Sequence, residues 1–412
     1  MIRYEIKKVL GSTGGKVALA VFSALVVLSC YLSVGKLEWV NENGDYVYGL
    51  AAVKPLREAR NQWEGPLDEE KLKAVILENQ RILATPQYNS AEIQQKNIAY
   101  SWRQGFAPIR LMMCFSYADG LRNYNYYTAD SVNPNDAGAF YSNRVKLLRQ
   151  YLYDETNDAC KAYSEREKQY LIAKYENLET PFYFDYCEGW VRLLDNCIYI
   201  LGWGTLMLGF LTAGIFSNEF KWKADTVFFS SRYGRNKAIK AKIQAGFLWV
   251  TVPYWAAIGI YTLVTLCCLG FEGGNCPIKI ANQGLNCRSF YNLTFWQTWL
   301  LTAVGGYIGN LFFAALTMFV SAKSRSAALA VTVPFLLILV PNTGNWPLSS
   351  KQMGLLPDQL LQLQEVIGRY FNVYEIGGKV FSAVTILLLL YGALTISLVP
   401  LMYRAFRKRR IS

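Results

Sequence analysis

Long apolar runs alternate with polar stretches along this chain of 412 residues. Six runs are near the roughly 20 residues that a helix rising about 1.5 Å per residue needs to cross a bilayer. They fall at 17–35, 193–216, 244–270, 296–321, 326–345 and 380–402. The fifth is the weakest: its clean apolar stretch stops at Pro341, which predicts a short or broken helix. The first run has the length and flanks of a signal peptide, yet lacks a convincing small-residue cleavage site and is followed by five more runs, so it reads as an anchor. Ahead of it, Ile2, Ile6, Val9 and Leu10 share one helical face and Arg3, Glu5, Lys7 and Lys8 the other, predicting an amphipathic helix within 1–16 lying at the membrane interface.

Between the first two runs lies a polar segment, 36–191, long enough for a folded domain. Its patterning is helical. Leu72, Val75, Ile76, Asn79 and Leu83 recur at helix spacing, as do Val145, Leu148 and Leu152, with a turn-rich stretch between them. Sixteen of the 28 tyrosines fall here, suiting either a core with a membrane-facing rim or a surface for peptides and headgroups. A second amphipathic stretch, Leu356, Leu360, Leu363 and Ile367, precedes the last run and is expected to lie on or dip into the membrane. The predicted fold class is therefore an all-α polytopic membrane protein: an interfacial helix (1–16), span one (17–35), a mainly helical extracellular domain (36–191), and spans two to six (192–412) with a basic C-terminal tail.

Charge orients this arrangement. The connection 217–242 carries Lys221, Lys223, Arg232, Arg235, Lys237, Lys240 and Lys242 against Glu219 and Asp225. With six spans and both termini cytoplasmic, 18 of the 42 Lys and Arg fall inside with only three acids, and the positive excess sits on one face, as the positive-inside rule requires. Anionic lipid and an acidic partner explain the net charge of +12 better than nucleic acid does. The chain reads as an integral plasma-membrane protein.

Candidate chemistry is sparse. There is no histidine, which removes the commonest general base and metal ligand. No HExxH, GxSxG or CxxC occurs, and no metal site is expected. GSTGGK at 11–16 imitates a phosphate loop, but Leu10 stands where the first Gly belongs and Val17 follows the Lys. No ionisable residue lies mid-run, which argues against an ion-driven transporter. Glycines in the second and fourth runs, with Tyr307 and Asn310, fit close packing first and a translocation path second. Cys276 and Cys287 flank a short outer loop and are candidates for a disulfide in an oxidising compartment, with Cys160 and Cys187 as a second candidate pair.

The connection at 217–242 also carries a resemblance. Glu219 closes the second run, Ser230-Ser231-Arg232-Tyr233-Gly234-Arg235 follows, and Lys242 re-enters the membrane. This resembles the permease subunits of ABC-type exporters with six spans, whose loop of this form is a coupling helix. The resemblance implies a separate ABC ATPase subunit carrying ATP and Mg²⁺, no cofactor or catalysis in this chain, and a second permease subunit, identical or paralogous. It also implies an amphipathic cargo, peptide or lipid-like, such as an antimicrobial peptide. The large domain between the first two spans departs from many members of that class. From the residues alone, Trp222, Phe228 and Phe229 are expected to seat in a motor subunit, Arg232, Arg235 and Lys237 to pair with its acids, and Gly234 to supply a left-handed turn. Two other readings stay open: a membrane receptor or scaffold whose outer domain binds a ligand and whose basic loop docks a cytoplasmic partner, and a membrane enzyme with a carboxylate site.

Overall fold

The computed structural model describes residues 1–118, 121, 124–156, 158–281, 286–342, 350–369 and 371–408. Arg409 and Arg410, part of the expected basic tail, lie outside these.

Five helices are long and apolar enough to cross a membrane: Thr13–Gly35, Glu188–Lys221, Lys237–Leu269, Phe295–Ser324 and Ala383–Arg407. A sixth apolar helix, Ala327–Leu339, has 13 residues and runs into a 3-10 turn at Val340–Asn342, as the break at Pro341 predicts. At about 1.5 Å per residue it rises roughly 20 Å, less than the ~30 Å hydrocarbon core. The fourth long helix packs against the second, third and fifth and forms the centre of the bundle.

Several polar side chains inside the bundle bond from one helix to another. Asn310, buried, accepts from the Thr205 hydroxyl at 2.9 Å and donates to Gly306 O at 2.8 Å. Tyr307 bonds Thr251 at 2.8 Å, and Ser33 bonds Tyr261 at 2.8 Å. Such bonds hold helices together where lipid offers no alternative partner. Asn310 and Tyr307 are thus packing residues here.

The polar domain is mainly helical. Asp68 accepts from the Lys71 amide at 2.9 Å and starts the helix Glu69–Leu83, which buries Leu72, Val75, Ile76, Asn79 and Ile82. Ile82 rather than Leu83 completes the inward face. The domain is not confined to 36–191. Phe290, Phe371 and Val373 share a core with Leu148, Leu152, Leu171, Ile172 and Tyr175. Lys351 pairs with Glu167 at 2.5 Å, and Arg166 with Glu375 at 2.8 Å. The segments after the third long helix and before the fifth therefore complete it. The amphipathic stretch at 356–367 dips inward: Leu360, Leu363 and Ile367 are buried, with Leu361 and Leu363 against the fourth long helix at Gly309 and Gly305.

The second and third long helices also meet through backbone. Gly189, in the first turn of the second long helix, has no room for a Cβ, which would overlap the carbonyl oxygen of Gly270, the residue ending the third with φ 111°. Backbone offers no rotamer by which to yield, so Gly189→Val is expected to cost at least the ~1–3 kcal/mol of an overpacked site, read as a lowered unfolding temperature in detergent.

Candidate functional site

The second and third long helices are joined by a structured connection. The second ends at Lys221, with the Trp222 amide donating to Asn218 O at 3.0 Å. Lys223 takes a left-handed backbone (φ 53°), and a six-residue helix, Asp225–Ser230, follows with Asp225 in its favourable first turn. The chain turns again through Gly234, whose amide donates to Ser231 O at 3.1 Å, and the third long helix starts at Lys237. A short helix stands where the sequence implied one. Gly234 is needed for a different reason than expected: its φ is not positive, but a Cβ there would overlap the Phe228 carbonyl oxygen.

At the base of this connection lies a closed ion cluster. Glu219 and Lys242 are 4% and 1% exposed. Lys242 Nζ donates to Glu219 Oε1 at 2.7 Å, Glu5 Oε2 at 3.0 Å and Ile215 O at 2.9 Å. Lys8 Nζ donates to the same Glu219 oxygen at 2.8 Å and to Glu5 Oε1 at 3.1 Å. Two lysines and two carboxylates from three helices thus share one neutral, hydrogen-bonded knot. Burial lowers the proton affinity of Lys8, but Glu219 and Glu5 outweigh it and the ammonium is held above its ordinary range. Glu5 and Lys8 do not share a solvated face with Arg3 and Lys7, because the charges at the foot of the second and third long helices draw them inward. Leu10, expected inside, is exposed.

An aromatic cluster secures the other side. Phe229 is 4% exposed and packs with Phe220, Phe228 and Phe406, its ring 5.2 Å from that of Phe406. Phe216 meets Phe406 at 4.6 Å. Phe228 and Phe229 therefore face the protein rather than a partner, since burying two aromatic rings internally outweighs leaving them in water. Arg235 is also turned inward: its Nη1 donates to Arg407 O at 2.9 Å, its Nε to Phe229 O at 3.3 Å, and its guanidinium lies over the Phe229 ring. It ties the connection to the end of the fifth long helix, where a cation is favoured.

Trp222, Val227, Arg232, Tyr233 and Lys237 remain outward. Arg232 and Lys237 both lie over the Tyr233 ring, at 5.5 and 4.9 Å, and Lys8 lies 5.9 Å from the Trp222 ring. Of the sequence-predicted residues, the structure joins Glu219 and Lys242, seats Gly234 and Arg235 in the scaffold, and leaves Trp222 and Arg232 on the surface. Sequence reasoning missed Glu5, Lys8 and Phe406 as members. The i, i+3 spacing of Glu5 and Lys8 next to an unmatched Glu219 was the available signal.

All nine cysteines are free thiols. Cys276 and Cys287 are both buried, and the Cys287 Sγ donates to Lys279 O at 3.1 Å rather than bonding to Cys276. Cys160 accepts from Lys168 at 3.6 Å rather than meeting Cys187.

Removing one member of a buried ion pair strands the other charge. Glu219→Gln is expected to destabilise the protein by about 3–5 kcal/mol and to loosen the N-terminal helix, with faster tryptic cleavage at Arg3 and Lys7. The double variant Glu219→Gln, Lys242→Met should recover part of that loss in thermal unfolding, because no unpaired charge remains. No protein-family model, curated protein or solved structure matches this chain.

Proposed function

We propose that this chain is the permease subunit of an ATP-driven ABC-type exporter, and that the helix Asp225–Ser230 receives the stroke of a separate ATPase subunit carrying ATP and Mg²⁺. One observation carries the reading: the short helix is clamped to several membrane helices at once. Glu219 and Lys242, at the two ends of the connection that carries it, are tied to each other and to the N-terminal helix. Through Phe229 and Arg235 it is tied to the end of the fifth long helix. A push on such an element moves helices rather than bending a loop.

In this reading Ala327–Leu339, extended by Val340–Asn342, serves as the sixth span, both termini are cytoplasmic, and the polar domain faces outward. The positive-inside distribution supports that orientation. Trp222, Val227, Arg232, Tyr233 and Lys237 form the docking face, an aliphatic and aromatic centre between cations, which suits an acidic groove. A second permease subunit completes the path, and the cargo is amphipathic, a peptide or lipid-like molecule.

The test uses surface residues outside the clamp. Affinity-tagged full-length chain extracted from its native membrane should co-purify with an ATPase. The variant Trp222→Ala, Arg232→Glu, Lys237→Glu should lose at least tenfold of that ATPase while keeping the unfolding temperature of the parent. Absence of any ATPase from the parent complex, or undiminished recovery with the variant, would overturn the reading.

A further inference from the structure

A cavity of about 610 Å³ lies at the ends of three long helices, remote from the ion cluster, and the proposed transport function does not use it. Trp190 stands in the first turn of the second long helix, Phe271 just beyond the end of the third, and Trp296 in the first turn of the fourth. Tyr183, from the polar segment, adds a fourth aromatic wall, and Asp185 and Glu272 line the same space. No Lys or Arg lines it. Its size falls within the roughly 300–1,000 Å³ of small-molecule sites.

The walls are held in place by specific contacts. The Trp190 indole donates to Phe271 O at 3.0 Å. Gly273, at φ 72°, has no room for a Cβ against the Tyr186 carbonyl, and Gly274 has none against the Trp190 ring. The groups that would recognise a ligand are reachable: Tyr183, Phe271 and Trp296 are 46%, 56% and 42% exposed, and the Glu272 side chain 45%. Asp185 is half-buried, and its Oδ1 accepts the Tyr186 amide at 2.6 Å. No Lys or Arg among the described residues forms an ion pair with it. Burial first, and then repulsion from Glu64 and Glu272, raise its proton affinity, against hydrogen bonds from the Tyr186 and Gly273 amides. Glu64 itself accepts the Tyr183 hydroxyl at 2.9 Å. Three carboxylates thus lie close together at an aromatic cavity, and Arg57, 3.5 Å from Glu272, offsets part of their charge.

We propose that this cavity binds an organic ammonium group, held against the aromatic rings beside Asp185 and Glu272. Aromatic faces carry the negative part of the ring quadrupole and attract a bulky, weakly hydrated cation, and the carboxylates add a field of the same sign. That field repels an anion. A hard metal ion needs several oxygen ligands, and among the described residues no group of three or more acid or thiol side chains is placed to hold one. The ammonium group belongs either to a lipid headgroup or to a free solute. Both reach this level, since Trp and Tyr at the ends of membrane helices sit among headgroups.

Choline serves as the probe, titrated calorimetrically into the full-length chain in maltoside, a detergent without an amine. Saturable binding is expected, at least tenfold tighter than that of the uncharged isostere 3,3-dimethyl-1-butanol. Asp185→Asn removes the charge while keeping an acceptor for the Tyr186 amide, and should weaken choline binding at least tenfold. Trp296→Leu changes an exposed ring and should weaken it at least fivefold at an unchanged unfolding temperature. Nanodiscs separate the two sources. Weaker choline binding in phosphatidylcholine discs than in discs of the uncharged lipid digalactosyldiacylglycerol assigns the cavity to a lipid headgroup, and equal binding assigns it to a free cation. Failure of choline to saturate the folded parent, equal binding of the isostere, or unchanged affinity in both variants would reduce the rings to interfacial anchors and end the proposal. None of these readouts involves an ATPase, so this proposal stands or falls apart from the transport reading.

Discussion

The bond on which the connection between the second and third long helices depends is the 2.7 Å ion pair between Lys242 and Glu219. A charge at this depth is tolerated only when its partner and further hydrogen bonds replace the lost water. Lys242 meets that demand with two carboxylates and the Ile215 carbonyl, and Glu219 with two ammonium groups. The requirement reaches back to the start of the chain, because Glu5 and Lys8 must be delivered by the N-terminal helix. That helix is set in place by Ser12, whose hydroxyl donates to Val9 O and accepts the Gly15 amide at the bend into the first long helix. The phosphate-loop imitation at 11–16 is thus a helix junction.

Satisfying the ion cluster fixes the two ends of the connection, and the aromatic cluster fixes its middle. With Phe228 and Phe229 committed inward, the short helix has one face left to offer, and Val227 with Trp222 stands at its centre. Gly234 lets the return strand of the loop lie against the Phe228 carbonyl, so the whole element is thin and backed by side chains. A topogenic loop adhering to lipid would need its cations spread outward. Here Lys242 and Arg235 are withdrawn into the scaffold.

Hydropathy made the membrane helices legible because each run must be apolar by itself to sit in lipid, and even the short helix ending near Pro341 was readable. The inward face of Glu69–Leu83 was readable for the same reason of period. The composition of the polar domain was not, since Phe290, Phe371 and Val373 are isolated apolar residues in polar loops, and only tertiary contact gathers them into one core. The site was legible as a list of residues and not as roles. Spacing cannot say whether Arg235 points at a partner or at Arg407, 172 residues away in sequence. Nor can it show that Cys287 bonds the Lys279 carbonyl rather than Cys276.

The second and third long helices are joined at both ends, by different means. In the cluster of Glu5, Lys8, Glu219 and Lys242, every side-chain nitrogen and oxygen buried from water has a partner within the protein. Such a knot has no donor or acceptor to spare, so its contribution is to hold together the three helices that supply it. At the far ends of the same two helices, Gly189 lies against the Gly270 carbonyl with no room for a Cβ. Charge fixes the spacing at one end and backbone contact at the other, and between them they set how the two helices lie against each other.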